Sequence, residues 1–229
     1  MRCLRLTHAG LVVERDGASL FVDPGDFSDR GEIAAAIAAV HAASAPPAGI
    51  VITHEHRDHW TPENVTAIRE AALGIPILTT QATAETLAEA GIDGARVVLP
   101  GDRITAGPFE LEFYGGRHEL LHSSIPVIEN VGVRIDDTLA WGGDSLVHPP
   151  FRADALGIPI GSPWSNLAQV LDFTLNAAPR RAYLTHDGIL SERGLGLFTQ
   201  RVRACLEQAG GELIRLPHVV KDPGARLEL

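Results

Sequence analysis

The residues of this 229-residue chain that could carry chemistry are three histidines and an aspartate that fall close together. They directly follow an apolar run at residues 49–52, which is typical of a buried strand. Side chains two apart at the end of a strand project to one side, and the next turn supplies the others. Imidazole nitrogens and a carboxylate suit a divalent ion such as zinc, and four such groups exceed the needs of one catalytic ion. The pattern predicts a site for two metal ions at His54, His56, Asp58 and His59. A histidine-rich surface loop is the alternative interpretation.

Three more polar positions follow short strand-like runs further along the chain. His118 comes after a glycine pair that permits a sharp backbone turn, and His122 competes with it for any role. Asp144 follows a second glycine pair, where an ordinary turn aspartate is the alternative. His186 follows the apolar run 182–185, and a lone histidine there would suggest only a structural residue.

Taken together, these motifs resemble the metallo-β-lactamase superfamily, whose hallmark is HxHxDH after a strand. The chain carries THEHRDH (53–59), GGRHELLH (115–122), WGGDS (141–145) and LTHDG (184–188), in the order of the family. The GGxH form favours His118 over His122 as the third histidine. The resemblance implies that one ion is held by His54, His56 and His118, the other by Asp58, His59 and His186, with Asp144 shared between them.

The chemistry implied by this resemblance is metal-assisted hydrolysis. A water between two cations loses its proton near neutral pH, because a zinc-bound water has a pKa of about 7. Asp58 and Asp144 are then the catalytic carboxylates, and the expected substrate is a small ester, lactone or phosphoester. Zinc is the first expectation for the two divalent ions, and manganese or iron also suits these donors. An iron-dependent redox or sulfur-oxidising enzyme and a non-catalytic metal-binding module are the alternatives.

The amino-terminal stretch THAGLVVERDGASLFVDPGDF (7–27) resembles a narrower branch, the small hydrolases related to L-ascorbate-6-phosphate lactonase, with Thr7 at their usual glycine. Two strands around Asp16–Gly17 predict a hairpin. The resemblance implies that Asp23 orients metal ligands, and a turn residue before proline is the alternative. His8 is expected either at the floor of the site or as a buried structural histidine.

Helix-like and strand-like segments alternate along the whole chain. Capping residues and periodicity predict helices at residues 31–44, 61–73, 83–90, 166–176 and 195–209. A β-rich stretch is expected at 96–141, with short strands at 181–185 and 212–216 and a Gly/Pro-rich loop at 148–166. In that loop, Trp164 is expected to anchor the next helix. The resemblance implies the α/β (α+β) four-layer αββα sandwich, as one domain over residues 1–229.

Composition narrows the range of partners. The net charge of −10 and the near absence of lysine argue against nucleic acid, so the expected partner is a small-molecule substrate. No apolar segment approaches the ~18 residues of a membrane span, and the amino terminus lacks the pattern of a signal peptide. A cytoplasmic location is therefore expected. Only two cysteines occur, Cys3 and Cys205, and both are predicted to be reduced core residues.

Overall fold

Two seven-stranded sheets pack face to face, and helices cover the outer face of each sheet. The computed structural model describes residues 1–229. The order of layers is helices, sheet, sheet, helices, so the predicted αββα sandwich is confirmed.

The first sheet contains the predicted hairpin and the strand that leads into the HxHxDH motif. In spatial order its strands are β14 (Leu227–Glu228), β1 (Arg2–Arg5), β2 (Leu11–Arg15), β3 (Ala18–Val22), β4 (Pro47–Val51), β5 (Ile77–Thr79) and β6 (Arg96–Val97). Strands β2 and β3 are antiparallel neighbours, whereas β3 to β6 run parallel to one another. The predicted hairpin is therefore confirmed.

The second sheet contains the strands that precede the later motifs. In spatial order its strands are β13 (Glu212–Leu213), β12 (Arg181–Thr185), β11 (Ala155–Pro159), β10 (Leu139–Trp141), β9 (Val131–Ile135), β8 (Phe109–Gly115) and β7 (Arg103–Ala106). Strands β10 to β13 are parallel, and β7 to β10 are antiparallel.

Five helices cover the outer faces of the sheets, and each starts at a residue whose side chain accepts a backbone N–H of the first turn. They are α1 (Arg30–Ala42), α2 (Pro62–Ala71) and α3 (Gln81–Glu89) on the first sheet, and α4 (Leu167–Ala177) and α5 (Glu192–Gln208) on the second. Thr61 caps α2 with Pro62 at its first position, as the sequence predicts. None of the five is long and apolar enough to cross a bilayer.

Burial on both faces explains the continuous apolar runs of the central strands. In β3, Leu20 and Val22 face the core between the sheets, while Phe21 packs against the helices. Each such side chain contributes about 1.5–3 kcal/mol when fully buried. Because no face of β3 meets solvent, the strand shows no alternation of apolar and polar residues.

Four expectations from the sequence need correction. Strand β11 lies inside the segment interpreted as a loop. Its Gly157 and Pro159 are typical of turns, but all five residues of the strand are buried. Helix α5 begins three residues earlier than predicted, since Ser191 caps it, and α3 begins two residues earlier, since Thr80 caps it. Cys205 is only half-buried, whereas Cys3 lies in the core between the sheets.

The two cysteines should therefore differ in reactivity. Burial raises the pKa of the Cys3 thiol to about 12, so little nucleophilic thiolate forms at neutral pH. We expect a thiol reagent such as DTNB to modify one cysteine per folded chain, and both after unfolding. The Cys205→Ala variant should lose the fast reaction. Equal rates for both thiols in the native protein would contradict the packing of β1.

Candidate metal centre

The first group of predicted ligands contains three histidines and one carboxylate, whose ligand atoms lie within 4.8 Å of one another. Nε2 of His54 lies 3.1 Å from Nδ1 of His56. Nε2 of His118 lies 3.3 Å from Oδ2 of Asp144. Donors about 2.0–2.2 Å from one tetrahedral ion lie about 3.3–3.6 Å apart, so these separations are close to those required by a single ion.

The second group shares Asp144 with the first. Oδ1 of Asp144 lies 3.1 Å from Nε2 of His59 and 3.1 Å from Nε2 of His186. Oδ2 of Asp58 lies 3.4 Å from Nε2 of His186. The two oxygens of Asp144 thus face different groups, which is the arrangement that a bridging carboxylate needs. The fold brings all seven predicted ligands together in these two groups.

Atoms that point into the two groups lack hydrogen-bond partners. They are Nε2 of His59, of His118 and of His186, and Oδ1 of Asp144, all of them buried. Although some of these atoms approach one another closely, they are not aligned as hydrogen bonds. Each unsatisfied buried polar atom costs about 1–3 kcal/mol, and a divalent cation would remove that cost. The donor set therefore fits two cations, and metal binding itself remains a prediction.

The protein holds the opposite ring nitrogen of the buried histidines. Nδ1 of His118 donates to the carbonyl of Glu119 at 2.7 Å, and Nδ1 of His186 donates to the carbonyl of Gly161 at 3.1 Å. A neutral imidazole that donates from Nδ1 keeps its lone pair on Nε2, where a metal can bind. These contacts fix both the tautomer and the orientation of the ring.

Asp23, at the end of β3, fixes the orientation of histidine rings in the HxHxDH motif. Its fully buried carboxylate accepts hydrogen bonds from Nδ1 of His59 (2.8 Å) and from Nε1 of Trp141 (2.7 Å). It also accepts the backbone N–H (2.8 Å) and the hydroxyl (2.9 Å) of Thr53. Because that hydroxyl donates to Asp23, its oxygen can accept Nδ1–H of His54 at 3.0 Å. Asp23 therefore orients two predicted ligands, as the resemblance implied, and it also joins the two sheets.

The turn after β3 touches the loop that carries Asp58. A Cβ atom at Gly25 would lie 1.8 Å from the carbonyl oxygen of Asp58, so only glycine fits this position. The Asn64 amide fixes the same turn by donating to the carbonyls of Pro24, Gly25 and Ser28 at 3.1, 2.9 and 3.0 Å. The first turn of α2 thereby supports the HxHxDH loop.

Two residues that hold Asp144 were missed by sequence reasoning. The Asn130 side chain accepts the backbone N–H of Asp144 at 3.0 Å and donates to the carbonyl of Gly142 at 2.8 Å. Trp164 is buried as expected, yet its Nε1 also donates to Oδ2 of Asp144 at 2.9 Å. No motif surrounds Asn130 or Trp164, because their role depends on contacts between distant loops.

His8 is part of the site. Nδ1 of this buried ring accepts the backbone N–H of Gly188 at 2.9 Å, so the neutral ring carries its proton on Nε2. Nε2 lies 3.3 Å from Oδ2 of Asp58 and donates to it. The His8 carbonyl accepts the N–H of His186 (3.0 Å) and the hydroxyl of Thr185 (3.1 Å). His8 therefore positions two ligands of the second group.

The other histidines lie outside the two groups. His122 is exposed, and its ring contacts the hydroxyl of Ser124 at 2.7 Å, so His118 and not His122 lies in the first group. His41 and His148 are exposed on the surface, as expected for residues without motif support. His218 is buried beside the hydroxyl of Thr7, at 3.0 Å.

The buried Asp144 carboxylate and the imidazoles that face it shift one another's pKa values. Burial alone would raise the pKa of Asp144, but His59 and His186 outweigh it and hold that pKa well below its ordinary value. Burial lowers the pKa of His186, yet Asp144 outweighs it and raises this pKa to about 9. Burial holds the pKa of His54 well below its ordinary value. The Asp144 carboxylate that raises the pKa of His186 would also attract a cation.

Comparison with known proteins agrees with the fold. The sequence profile of the β-lactamase superfamily domain matches residues 5–186. Protein Rv0786c of Mycobacterium tuberculosis is 30% identical over 207 residues, which cover 87% of this chain and 91% of that protein.

Solved structures extend the comparison at lower identity. YhfI of Bacillus subtilis, a metallo-β-lactamase fold protein, superposes with a TM-score of 0.70 at 16% identity, covering 95% of this chain and 96% of YhfI. CmlA of Streptomyces venezuelae, a diiron β-hydroxylase, superposes with a TM-score of 0.69 at 15% identity, covering 100% of this chain and 54% of CmlA. At these identities, the likeness supports the fold alone.

Replacing Asp23 by asparagine should weaken both the fold and the site. The amide removes the charge and turns an N–H₂ group toward buried donors, so at least one of them loses its acceptor. We expect the free energy of unfolding in urea to fall by about 1–3 kcal/mol, and metal affinity to fall about 10–100-fold. Asp26→Asn is the control, because Asp26 is exposed on the same turn. Equal behaviour of the two variants would rule out the role assigned to Asp23.

Replacing either histidine of the 118/122 pair by alanine separates the two candidates for third ligand. We expect His118→Ala to lose about 100-fold or more in affinity for zinc, since a ligand matters at least as much as the groups that orient it. His122→Ala should retain the affinity of the unmodified protein. Titration with zinc against a competing chelator measures both. The reverse ranking of the two variants would contradict the assignment of His118 to the first group.

Proposed function

This chain belongs to the β-lactamase superfamily, and on that premise we propose that it is a dinuclear metal-dependent hydrolase acting on a small ester, lactone or phosphoester. The observation that carries the proposal is the bridging geometry of Asp144, whose two oxygens face two separate groups of buried imidazole nitrogens. A purely structural histidine cluster would not leave four of its inward atoms unsatisfied.

Two divalent cations in these groups would supply a nucleophile from water near neutral pH and would stabilise negative charge on the attacked group. The residues of this chain set the direction of attack. Asp58, with a side chain 27% exposed, and the exposed His56 lie on the solvent side, while the other five ligands are buried. The substrate therefore enters over Asp58 and His56.

Asp58 has a second role in this proposal, because its carboxylate is a proton acceptor at the open side of the site. Burial would raise its pKa, but contacts from His186 and His8 outweigh it and keep the pKa below its ordinary value. The carboxylate is thus ionised and held by His8 in one orientation. It can accept a hydrogen bond from a water molecule and orient it toward the substrate.

The net charge of −10 supports a small molecule over nucleic acid as the substrate. Zinc is the proposed metal, because the donors are mostly imidazole nitrogens with carboxylate oxygens.

An iron-dependent redox function is the second candidate. The same mixed nitrogen and oxygen donors suit iron, and the diiron β-hydroxylase CmlA shares the fold. Iron in the purified protein together with oxygen consumption would favour this candidate. Zinc or manganese with hydrolysis and no oxygen consumption would favour the first.

The test of the proposed function is metal analysis and a substrate panel on the same sample. We expect about two divalent ions per chain and hydrolysis of at least one member of a panel of lactones, carboxylic esters, thioesters and phosphodiesters. Asp144→Ala should lower both metal content and rate, the rate by at least about 100-fold, because it removes a ligand of both ions. Asp154→Ala, a change at a carboxylate remote from the site, is the control. A protein that holds two ions and is inert toward the whole panel would instead indicate a non-catalytic metal-binding module.

A further inference from the structure

Exposed large hydrophobic side chains are concentrated on the loops that carry or contact the predicted ligands. The chain exposes 11 of them, and seven lie on loops that carry or contact predicted ligands. We call these seven the apolar rim: Phe27, Leu120, Leu121, Ile125, Val127, Val147 and Ile189. Single exposed hydrophobic residues are normal on a protein surface, but a concentration beside a polar site indicates a binding surface.

The apolar rim follows the ligands along the chain. Leu120 comes two residues after His118 and is 52% exposed. Val147 comes three residues after Asp144, and Ile189 three residues after His186, with exposures of 45% and 55%. Three separate loops thus place an exposed apolar side chain immediately beyond a predicted ligand.

Hydrogen bonds join two of these loops on the side of the first group. The backbone N–H of Glu119 donates to the carbonyl of Asp144 at 2.8 Å, and the Glu119 carboxylate accepts the N–H of Leu146 at 3.1 Å. Leu120 and Val147 are the next residues along the two joined segments. This side of the rim is therefore held in place rather than carried by an unattached loop.

The opposite side of the rim borders the second group. The Phe27 ring stacks on His8 with 4.1 Å between ring centroids, and His8 donates to Asp58. A Cβ atom at Gly188 would lie 2.6 Å from the Phe27 ring, so this ring lies directly against the residue before Ile189. Apolar side chains consequently flank the metal centre on both sides.

From this arrangement we propose that the apolar rim binds an apolar group of the substrate, an alkyl chain or aromatic ring attached beside the bond that is cleaved. None of the seven side chains belongs to the three buried apolar clusters of the fold, so the core does not require them to be apolar. Loops around a catalytic centre often select the substrate, and burial of apolar surface gives affinity without new polar contacts. The inference rests on the proposed function, since it assigns the substrate class of the same site.

The experiment measures binding and hydrolysis separately. Straight-chain carboxylates from acetate to octanoate serve as probes for the zinc-loaded protein, since each has the same anionic head and a longer apolar chain. We expect the dissociation constant measured by calorimetry to fall by up to about fourfold per added methylene over the first few carbons. In the Leu120→Ser and Val147→Ser double variant this dependence on chain length should be largely lost, while acetate binds as before.

Leu73→Ser is the matched control, because Leu73 is 90% exposed and lies beyond the far end of α2. Circular dichroism and zinc content must be unchanged in both variants. Dissociation constants independent of chain length, or equal losses in control and double variant, would overturn the proposal. A monomer–dimer change in the double variant without any change in carboxylate binding would overturn it too, and would assign the rim to a second copy of the chain.

The same variants are then assayed with acetyl and octanoyl esters or thioesters. We expect kcat/KM to favour the octanoyl substrate at least about tenfold in the unmodified protein, and this preference to disappear in the double variant. If binding depends on chain length but no substrate is hydrolysed, the proposed role of the apolar rim is supported and the proposed hydrolase activity is rejected. If hydrolysis occurs at a rate independent of chain length, the hydrolase activity is supported and the proposed role of the apolar rim is rejected.

Discussion

The candidate metal centre depends on the buried carboxylate of Asp23, which lies where β3 ends and accepts four hydrogen bonds. One partner, Trp141, comes from the opposite sheet, and the others belong to the segment that begins the HxHxDH motif. A buried carboxylate is costly unless every lone pair is used, so its position dictates those of its donors. Asp23 binds no metal in our proposal, but it orients His59 directly and His54 through Thr53.

The predicted ligands have hydrogen-bond partners on their outer side and unpartnered atoms where they face the two groups. The four buried histidines of these groups donate from Nδ1 to Asp23, to Thr53 or to backbone carbonyls, and their Nε2 atoms converge. His56 is different, since it is exposed and presents Nδ1 to the group. Fully satisfied outer contacts hold the rings in place, so the unsatisfied inner atoms keep their separations without help from one another. This is the physical basis for expecting the site to exist before a metal binds.

In our proposals, selectivity for a substrate has a different structural origin from metal binding. The ligands lie at the ends of strands, where both sheets hold them, whereas the apolar rim lies on the loops just beyond. Loops change in sequence at little cost to the core, so one arrangement of donors can serve substrates of different shape. The narrower likeness to L-ascorbate-6-phosphate lactonase rests on the amino-terminal stretch and remains a prediction. That stretch contains His8 and Asp23, which contact predicted ligands. Phe27 is its only residue in the apolar rim.

The sequence by itself determined the hairpin before Asp23 and the start of α2, because these depend on local spacing, and the order of its motifs carries the resemblance that implied the αββα class and the seven clustered side chains. It left His118 and His122 as rivals, missed β11, and gave no sign of Asn130 or of the contact between Trp164 and Asp144. Only the tertiary structure decided these points. Burial of β11 on both faces outweighs the local preference of its glycine and proline for a turn, and the contacts that hold Asp144 join residues 14 and 20 positions away. Interactions across such distances depend on how the sheets pack, which no local pattern records.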